Sequence, residues 1–349
     1  MKSFLEIRYK LFFLITLCLF LTSKSALGQV KSELKIAFGS CAKQDRPQFV
    51  WQKIGEQNPD LFIFSGDNVY IDSDQTDAMQ HAYKMLGSNP NFSKFRQSTP
   101  ILATWDDHDY GMQDGNKYFT AKEAAKTEFI NFWRYPEIEQ LRHKPQGIFH
   151  TYWTEHKGKK VQIILLDTRW YRDPMVFADL TEAQRVELGV GPYKEHVDTS
   201  KTLLGEIQWE WFANELKKPA DFRVVVSSIA VLAEHTGWDS WANYPHELEK
   251  LLALLHPVNQ GNLVIISGDI HKAEISQRTY NGKIFTDVSS SGLDAAIYPA
   301  APNQYRFGNP LLDNNFGVLT LTGDERLKGT IEVLNAKGEA KLTLSLGDD

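Results

Sequence analysis

The chain has 349 residues, a formal charge of -6 and an aromatic complement of 9 Trp, 13 Tyr and 20 Phe. An acidic balance of this size excludes a broad basic surface for nucleic acid, but leaves room for a locally positive pocket that attracts phosphate. The aromatic content predicts a large core or an aromatic-lined cleft, with core the simpler reading.

In residues 1–28, Lys2, Arg8 and Lys10 precede the apolar stretch from Leu11 to Leu21, and the small-residue ending Ala26-Leu27-Gly28 follows. This is the pattern of a secretory signal and predicts cleavage before Gln29. The stretch falls short of the roughly 20 residues a spanning helix requires, so no membrane anchor is expected after cleavage; an uncleaved anchor is the alternative. Cys18 belongs to this segment, which leaves Cys41 as the lone cysteine of the exported chain, unable to form an internal disulfide. Residues 29–349 contain no repeat or low-complexity linker and are read as a single domain.

Apolar runs at 34–40, 61–65, 101–105, 161–167, 223–229 and 263–267 predict strands covered on both faces. Helices are expected between them at 47–57, 118–133 and 205–217, where Trp209, Trp211, Phe212 and Leu216 recur at helical spacing and are read as core. The order of elements predicts a layered α/β fold. Residues 72–98 and 170–204 are read as loops that shape substrate selection. The tail from 318 to 346 alternates apolar and polar residues, predicting hairpin strands that turn near Gly323 and Gly338.

Four of the apolar runs stop at groups that bind metal or move protons. LKIAFGSC ends at Cys41, LFIFSGDNVY at Asp67 and Tyr70, ILATWDDHDYG at Asp106 to Asp109, and NLVIISGDIH at Asp269 and His271. Ligands in open α/β sheets collect beyond the carboxyl ends of strands, so these clusters can meet. Thiolate and imidazole suit iron or zinc while carboxylate and phenolate suit hard cations, which predicts a mixed metal centre. Gly66 permits the turn that aims Asp67, although Gly-Asp alone is common in structural turns. The acids around His108 crowd negative charge, which is costly unless a cation neutralises it. Arg169, just beyond another run, is read either as a phosphate contact or as a structural clamp.

The ordered segments FGSC, SGDNVY, TWDDHDYGMQDGN, LLDTRWYR, LGEIQWEWF, DSWANYP and SGDIHKAE, spread from about residue 34 to about 295, resemble the alkaline phosphatase D (PhoD-like) family of calcineurin-like metallophosphoesterases. The resemblance implies a four-layer αββα sandwich with a C-terminal β-hairpin region, and hydrolysis of phosphate mono- or diesters by a metal-activated hydroxide. It makes Cys41, Asp67, Tyr70 and His271 ligands of an Fe3+-type ion, with Asp67 bridging to a second ion. Asp107 and Asp269 then hold that second ion, where an oxygen-rich set favours Ca2+. Asp114 is carried into the metal set, and Gln113 beside it departs from the family's usual Asn-Asp pair. His235 is the nearest candidate for a further histidine that related enzymes supply. In the proposed hydrolysis His108, held by Asp109 or Asp106, would protonate the leaving group or steady the charged transition state, while Arg169 remains open between a substrate contact and a clamp.

The expected partner is a phosphate ester, with no stable nucleic-acid complex; oligomeric state is left open. One rival reading makes Cys41 a covalent nucleophile, but Cys41 and Arg46 are separated by four residues, not the five of a C-x5-R phosphate cradle, and no Gly-rich loop intervenes. Another is an exported protein that binds metal or phosphate without turnover. A structural site has no need of a proton donor such as His108.

Overall fold

The computed structural model describes residues 31–234 and 236–347. The expected signal at 1–28 and His235 lie outside the described residues.

The first three apolar runs form β1 (Leu34–Gly39), β2 (Leu61–Ser65) and β3 (Ile101–Thr104), paired in parallel. Further along come β4 (His150–His156), β5 (Lys159–Leu165), a ribbon of β6 (Val176–Phe177) with β7 (Tyr193–Lys194), β8 (Phe222–Val226) and β9 (Leu263–Ser267). The chain ends with β10 (Ala273–Tyr280), β11 (Lys283–Ser290), β12 (Arg306–Leu311), β13 (Asn315–Thr322), β14 (Lys328–Asn335) and β15 (Ala340–Leu346). One sheet has the order β15-β14-β13-β1-β2-β3 and the other β12-β10-β11-β9-β8-β5-β4.

Strand side chains alternate between faces, and the split of the core follows that period. Ile36, Phe38, Ile63 and Leu102 meet Ile163, Val224 and Ile266 between the sheets. Their neighbours Ala37, Phe62, Phe64 and Ala103 point the other way, into an aromatic layer under the helices Val50–Glu56, Thr76–Ser88, Pro90–Ser98 and Lys122–Trp133. On the far side, Ile164, Val225 and Ile265 pack beneath the helices Gly205–Leu216 and Pro245–Leu255. The result is the αββα sandwich. Trp51 sits among Phe62, Phe64, Phe92 and Phe95 with ring centroids 5.1–5.7 Å apart, so much of the aromatic content is core. Truncating such a ring to Ala costs about 3–5 kcal/mol.

Residues 72–98, read as a loop, are instead two helices, Thr76–Ser88 and Pro90–Ser98. Met79, Ala82, Tyr83 and Leu86 form a buried stripe at helical spacing, and their packing outweighs the polar residues between them. Asn89 separates the helices: its Oδ1 accepts hydrogen bonds from the backbone of Asn91 at 3.0 Å and Phe92 at 3.2 Å, and Pro90 follows at the first helical position. The segment 170–204 is irregular apart from the β6/β7 ribbon and the helix Glu182–Leu188. The tail turns at Gly323 (φ 107°) and Gly338 (φ 82°), and its first strand, β13, pairs antiparallel with β1. The C-terminal hairpins therefore complete the first sheet.

Candidate metal centre

β5, β8, β9 and β11 also run parallel to one another, and a parallel bridge from Ser40 to Ser291 joins the carboxyl ends of β1 and β11. The loops leaving these strands turn sharply. Cys41, Asp67, Asp269 and His271 have φ of 62°, 51°, 69° and 51°, a left-handed conformation that costs a non-glycine residue roughly 1 kcal/mol or more. Two glycines allow the loops to close on each other. A Cβ on Gly66 would lie 2.7 Å from Asp106 Cβ, and one on Gly268 would lie 2.7 Å from both Ser40 Oγ and the Ser65 carbonyl. Left-handed backbone also occurs at Asp72 and Asp114 beside the rim and at turns elsewhere such as Asn58, Lys157 and Asn281, but at these four candidate ligands it coincides with close loop contacts that fix where the side chains point.

The side chains form overlapping groups with potential ligand atoms within 4.8 Å of one another: Cys41, Asp67 and His271; Asp67, Asp107 and His108; and Asp67, Asp106, Asp107 and Asp269. Asp67 belongs to all three. Cys41 Sγ lies 3.4 Å from Asp67 Oδ2 and 3.1 Å from Ser291 Oγ. Tyr70 OH lies 3.2 Å from His271 Nε2, and the side-chain amide of Gln44 bonds both the N–H and the carbonyl of Tyr70 at 2.9 Å. His271 Nδ1 is 2.7 Å from the Ala296 carbonyl, which directs the Nδ1 proton outward and leaves the Nε2 lone pair facing the cluster.

The electrostatics ask for a cation. Burial pushes the Asp67 carboxyl well above its usual range, with Cys41, Asp107 and Asp106 adding to it. Burial and the charge of Asp106 do the same to Asp269. The Cys41 thiol is raised to about 12, by burial and then by Asp269, while burial lowers His271 to about 4 and keeps the imidazole neutral. Among the described residues, Asp106 Oδ2 is buried without a hydrogen-bond partner. A metal ion among these groups reverses the sign of the burden on the acids and the thiol, and a neutral imidazole is the ligating form. The donors fit metal binding, with sulfur, nitrogen and oxygen on one side of Asp67 and carboxylate oxygen on the other.

His108 is oriented differently from expectation. Its Nδ1 lies 2.7 Å from Asp72 Oδ1, and its ring is 4.2 Å from that of Tyr70. Burial alone would lower its pKa, but the Asp72 hydrogen bond and the charges of Asp107, Asp72 and Asp106 raise it. Neither Asp109 nor Asp106 holds the imidazole. Asp109 accepts from the backbone N–H of Asp106 at 2.5 Å and of Asn68 at 3.1 Å, pinning two site loops together. Asp106 Oδ1 accepts from Arg169 Nε at 2.7 Å and Ser228 Oγ at 2.6 Å. Asp72 went unassigned because no short pattern pairs it with His108; its only signal was an acid just beyond SGDNVY.

Arg169 is fully buried, and its guanidinium also lies 2.9 Å from Asp239, which binds Arg172 at 2.6 Å. Its charge is thus directed at two protein acids, the contacts a structural clamp would make. Asp239 stands in DSWANYP, and the sequence offered no pairing for it. Asp114 lies outside the three groups: its carboxylate accepts from Tyr193 OH, and its backbone N–H, 2.9 Å from Asp107 Oδ2, is what reaches the cluster. Gln113 Nε2 donates to the same oxygen at 3.1 Å. Cys41 is completely buried with a raised thiol pKa, the opposite of an activated nucleophile.

The fold that carries this rim is shared with dimetal phosphatases. A dimetal phosphatase from Danio rerio superposes with a TM-score of 0.54 and 11% identity, over 90% of this chain and 99% of its own. A solved PhoD structure superposes with a TM-score of 0.66 and 16% identity, over 92% of this chain and 70% of that one. The PhoD-like phosphatase family model matches residues 36–300, and the chain belongs to that family. Alkaline phosphatase D of Bacillus subtilis (strain 168) is 23% identical over 284 residues, covering 70% of this chain and 47% of the relative. The chain thus spans about half the length of that curated relative.

Proposed function

We propose that this protein is an exported, metal-dependent phosphoesterase that hydrolyses phosphate mono- or diesters at the rim formed by the loops after β1, β2, β3 and β9. The observation that carries the reading is the position of Asp67, shared between the Cys41/His271 group and the carboxylate group of Asp106, Asp107 and Asp269. A shared carboxylate between a mixed donor set and an oxygen set suits a pair of unlike cations. Cys41, Asp67, Tyr70 and His271 suit Fe3+; Asp67, Asp107 and Asp269 suit Ca2+ or another hard ion. Bound cations would supply Lewis acidity toward water and toward the phosphoryl oxygens.

The protein's own groups do the rest. His108 delivers a proton to the leaving oxygen, and Asp72 sets its tautomer by accepting from Nδ1–H, leaving Nε2 for the substrate. Arg169 neutralises Asp106 and holds the second group's floor in place. The signal-like residues 1–28 support export to the periplasm or medium, with residues 29–349 as one domain. Among the described residues no helix is long and apolar enough to cross a membrane.

Metal analysis of protein purified without added metal, followed by turnover assays on one monoester and one diester, tests the proposal. Two bound ions and hydrolysis of at least one ester are expected. A single fully occupied ion with no turnover across a pH series would favour the binding-protein reading. Cys41→Ala should lower iron relative to the second metal.

A further inference from the structure

The chain between β11 and β12 does more than cross the rim. Its Ala295 N–H reaches the Cys41 carbonyl at 3.3 Å, and its Tyr298 N–H reaches the His271 carbonyl at 3.1 Å. Ala296 supplies the carbonyl that holds His271 Nδ1 at 2.7 Å. The Tyr298 ring lies flat on the His271 imidazole, with centroids 4.5 Å apart and planes 3° from parallel. This segment is anchored to two candidate ligands through the backbone and to one of them through a ring.

Tyr298 is nonetheless 54% exposed. One face is covered by His271, so the exposed surface belongs to the other face and the ring edge. Covering an imidazole needs only apolar bulk; a rigidly mounted, half-solvated aromatic ring provides a second, open stacking surface beside the cluster. Its position is set by backbone bonds before any ligand arrives, which lowers the entropic cost of using it.

We propose that Tyr298 is a specificity-determining residue whose open face stacks against a planar aromatic leaving group of the phosphate ester. The proposal rests on the phosphoesterase reading above and narrows its substrate class to esters whose leaving group carries an aromatic ring close to the ester oxygen. The phosphoryl group occupies the cluster around Asp67, and the ring of the leaving group lies along Tyr298. Stacking of this kind tolerates any flat π-system, because each presents a comparable face.

The test uses the metal-loaded protein with phenylphosphonate and methylphosphonate, which share the anionic head and differ in the ring, with binding measured by calorimetry. Tyr298→Leu keeps apolar cover over His271 while removing the π-face; Tyr298→Phe keeps both. The leucine variant should retain wild-type metal content, bind phenylphosphonate about tenfold more weakly, the value of one aromatic stacking contact, and bind methylphosphonate within about twofold of wild type. The phenylalanine variant should match wild type with both. Equal weakening of the two phosphonates in the leucine variant, or no weakening of phenylphosphonate, overturns the proposal. Selective loss of phenylphosphonate binding in a protein that hydrolyses no ester would uphold the stacking surface and sink the phosphoesterase reading instead.

Discussion

His108 Nδ1 lies 2.7 Å from Asp72 Oδ1, so a histidine beside the candidate metal cluster takes its orientation from an acid on the loop after β2. His108→Ala should lower kcat by about a hundredfold or more, the usual contribution of a positioned proton donor, with most of the bound metal retained, since Asp67 and Asp107 keep their places in the group His108 shares. Asp72→Asn should lower kcat by a smaller factor, about tenfold, with KM nearly constant, because the imidazole remains but its tautomer is no longer fixed. Steady-state kinetics with metal analysis on both variants checks this. An Asp72→Asn enzyme with wild-type kcat would remove Asp72 from the mechanism.

Asp67 is central to the metal reading, and its charge should have opposite effects with and without metal. In the metal-free protein burial penalises the Asp67 carboxylate most, and the charges of Cys41 and the neighbouring acids add to it, so Asp67→Asn should melt a few degrees above wild type. With metal bound, the order should reverse, because the variant loses a ligand shared by both groups. Thermal melts with and without chelator test the sign of the change. The same order in both conditions would mean that the cluster does not hold cations.

Arg169 distinguishes a clamp from a substrate contact. Its guanidinium is buried between Asp106, 2.7 Å from Nε, and Asp239, 2.9 Å from Nη1. Arg169→Met leaves two buried acids without that partner and should cost about 3–5 kcal/mol of stability, visible as a lower denaturant midpoint. Unchanged stability with a raised KM would restore the phosphate-contact role.

His150 supplies a pH effect remote from the metal cluster. It is buried, with Nε2 2.8 Å from Tyr135 OH and Nδ1 2.7 Å from the Ile148 carbonyl, and burial lowers its pKa from 6.5 to about 4. The unfolded chain therefore takes up the proton first as pH falls. The stabilisation is complete above about pH 6.5 and is lost progressively toward pH 4; the loss between pH 7 and pH 5 is about 2 kcal/mol. Denaturant titrations of His150→Gln at the two pH values should show a pH-dependent loss smaller than that of wild type by this amount. Parallel behaviour of the two proteins would contradict it.

Much of the site was legible because apolar strands that stop at Gly-Asp or Ser-Cys place reactive groups at one end of a parallel sheet. The runs ending at Cys41, Asp67, Asp107 and Asp269 could be read in that way. The helices at 76–98 were missed although Met79, Ala82, Tyr83 and Leu86 carry the period, because abundant Asn, Ser, Asp and Gln favoured a loop reading. The partners of His108 and Arg169 were not legible, since Asp72 and Asp239 are linked to them only by how separate loops pack.

By itself the sequence determined the strands β1, β2, β3, β5, β8 and β9 and the C-terminal hairpins, because alternation and apolar runs are local properties of the chain, whereas β4, β10, β11 and β12, which carry more polar residues, were not legible. It also supplied the inventory of thiol, carboxylate, phenol and imidazole at the strand ends. Only the tertiary structure decided how those groups are used. Distances between side chains depend on the left-handed turns at Cys41, Asp67, Asp269 and His271 and on the close approaches at Gly66 and Gly268. That packing puts Asp67 in every candidate metal group, turns Asp109 away from His108 toward Asn68, buries Arg169 between two acids and lays Tyr298 flat on His271. None of these relationships has a sequence period, because each joins loops from different strands.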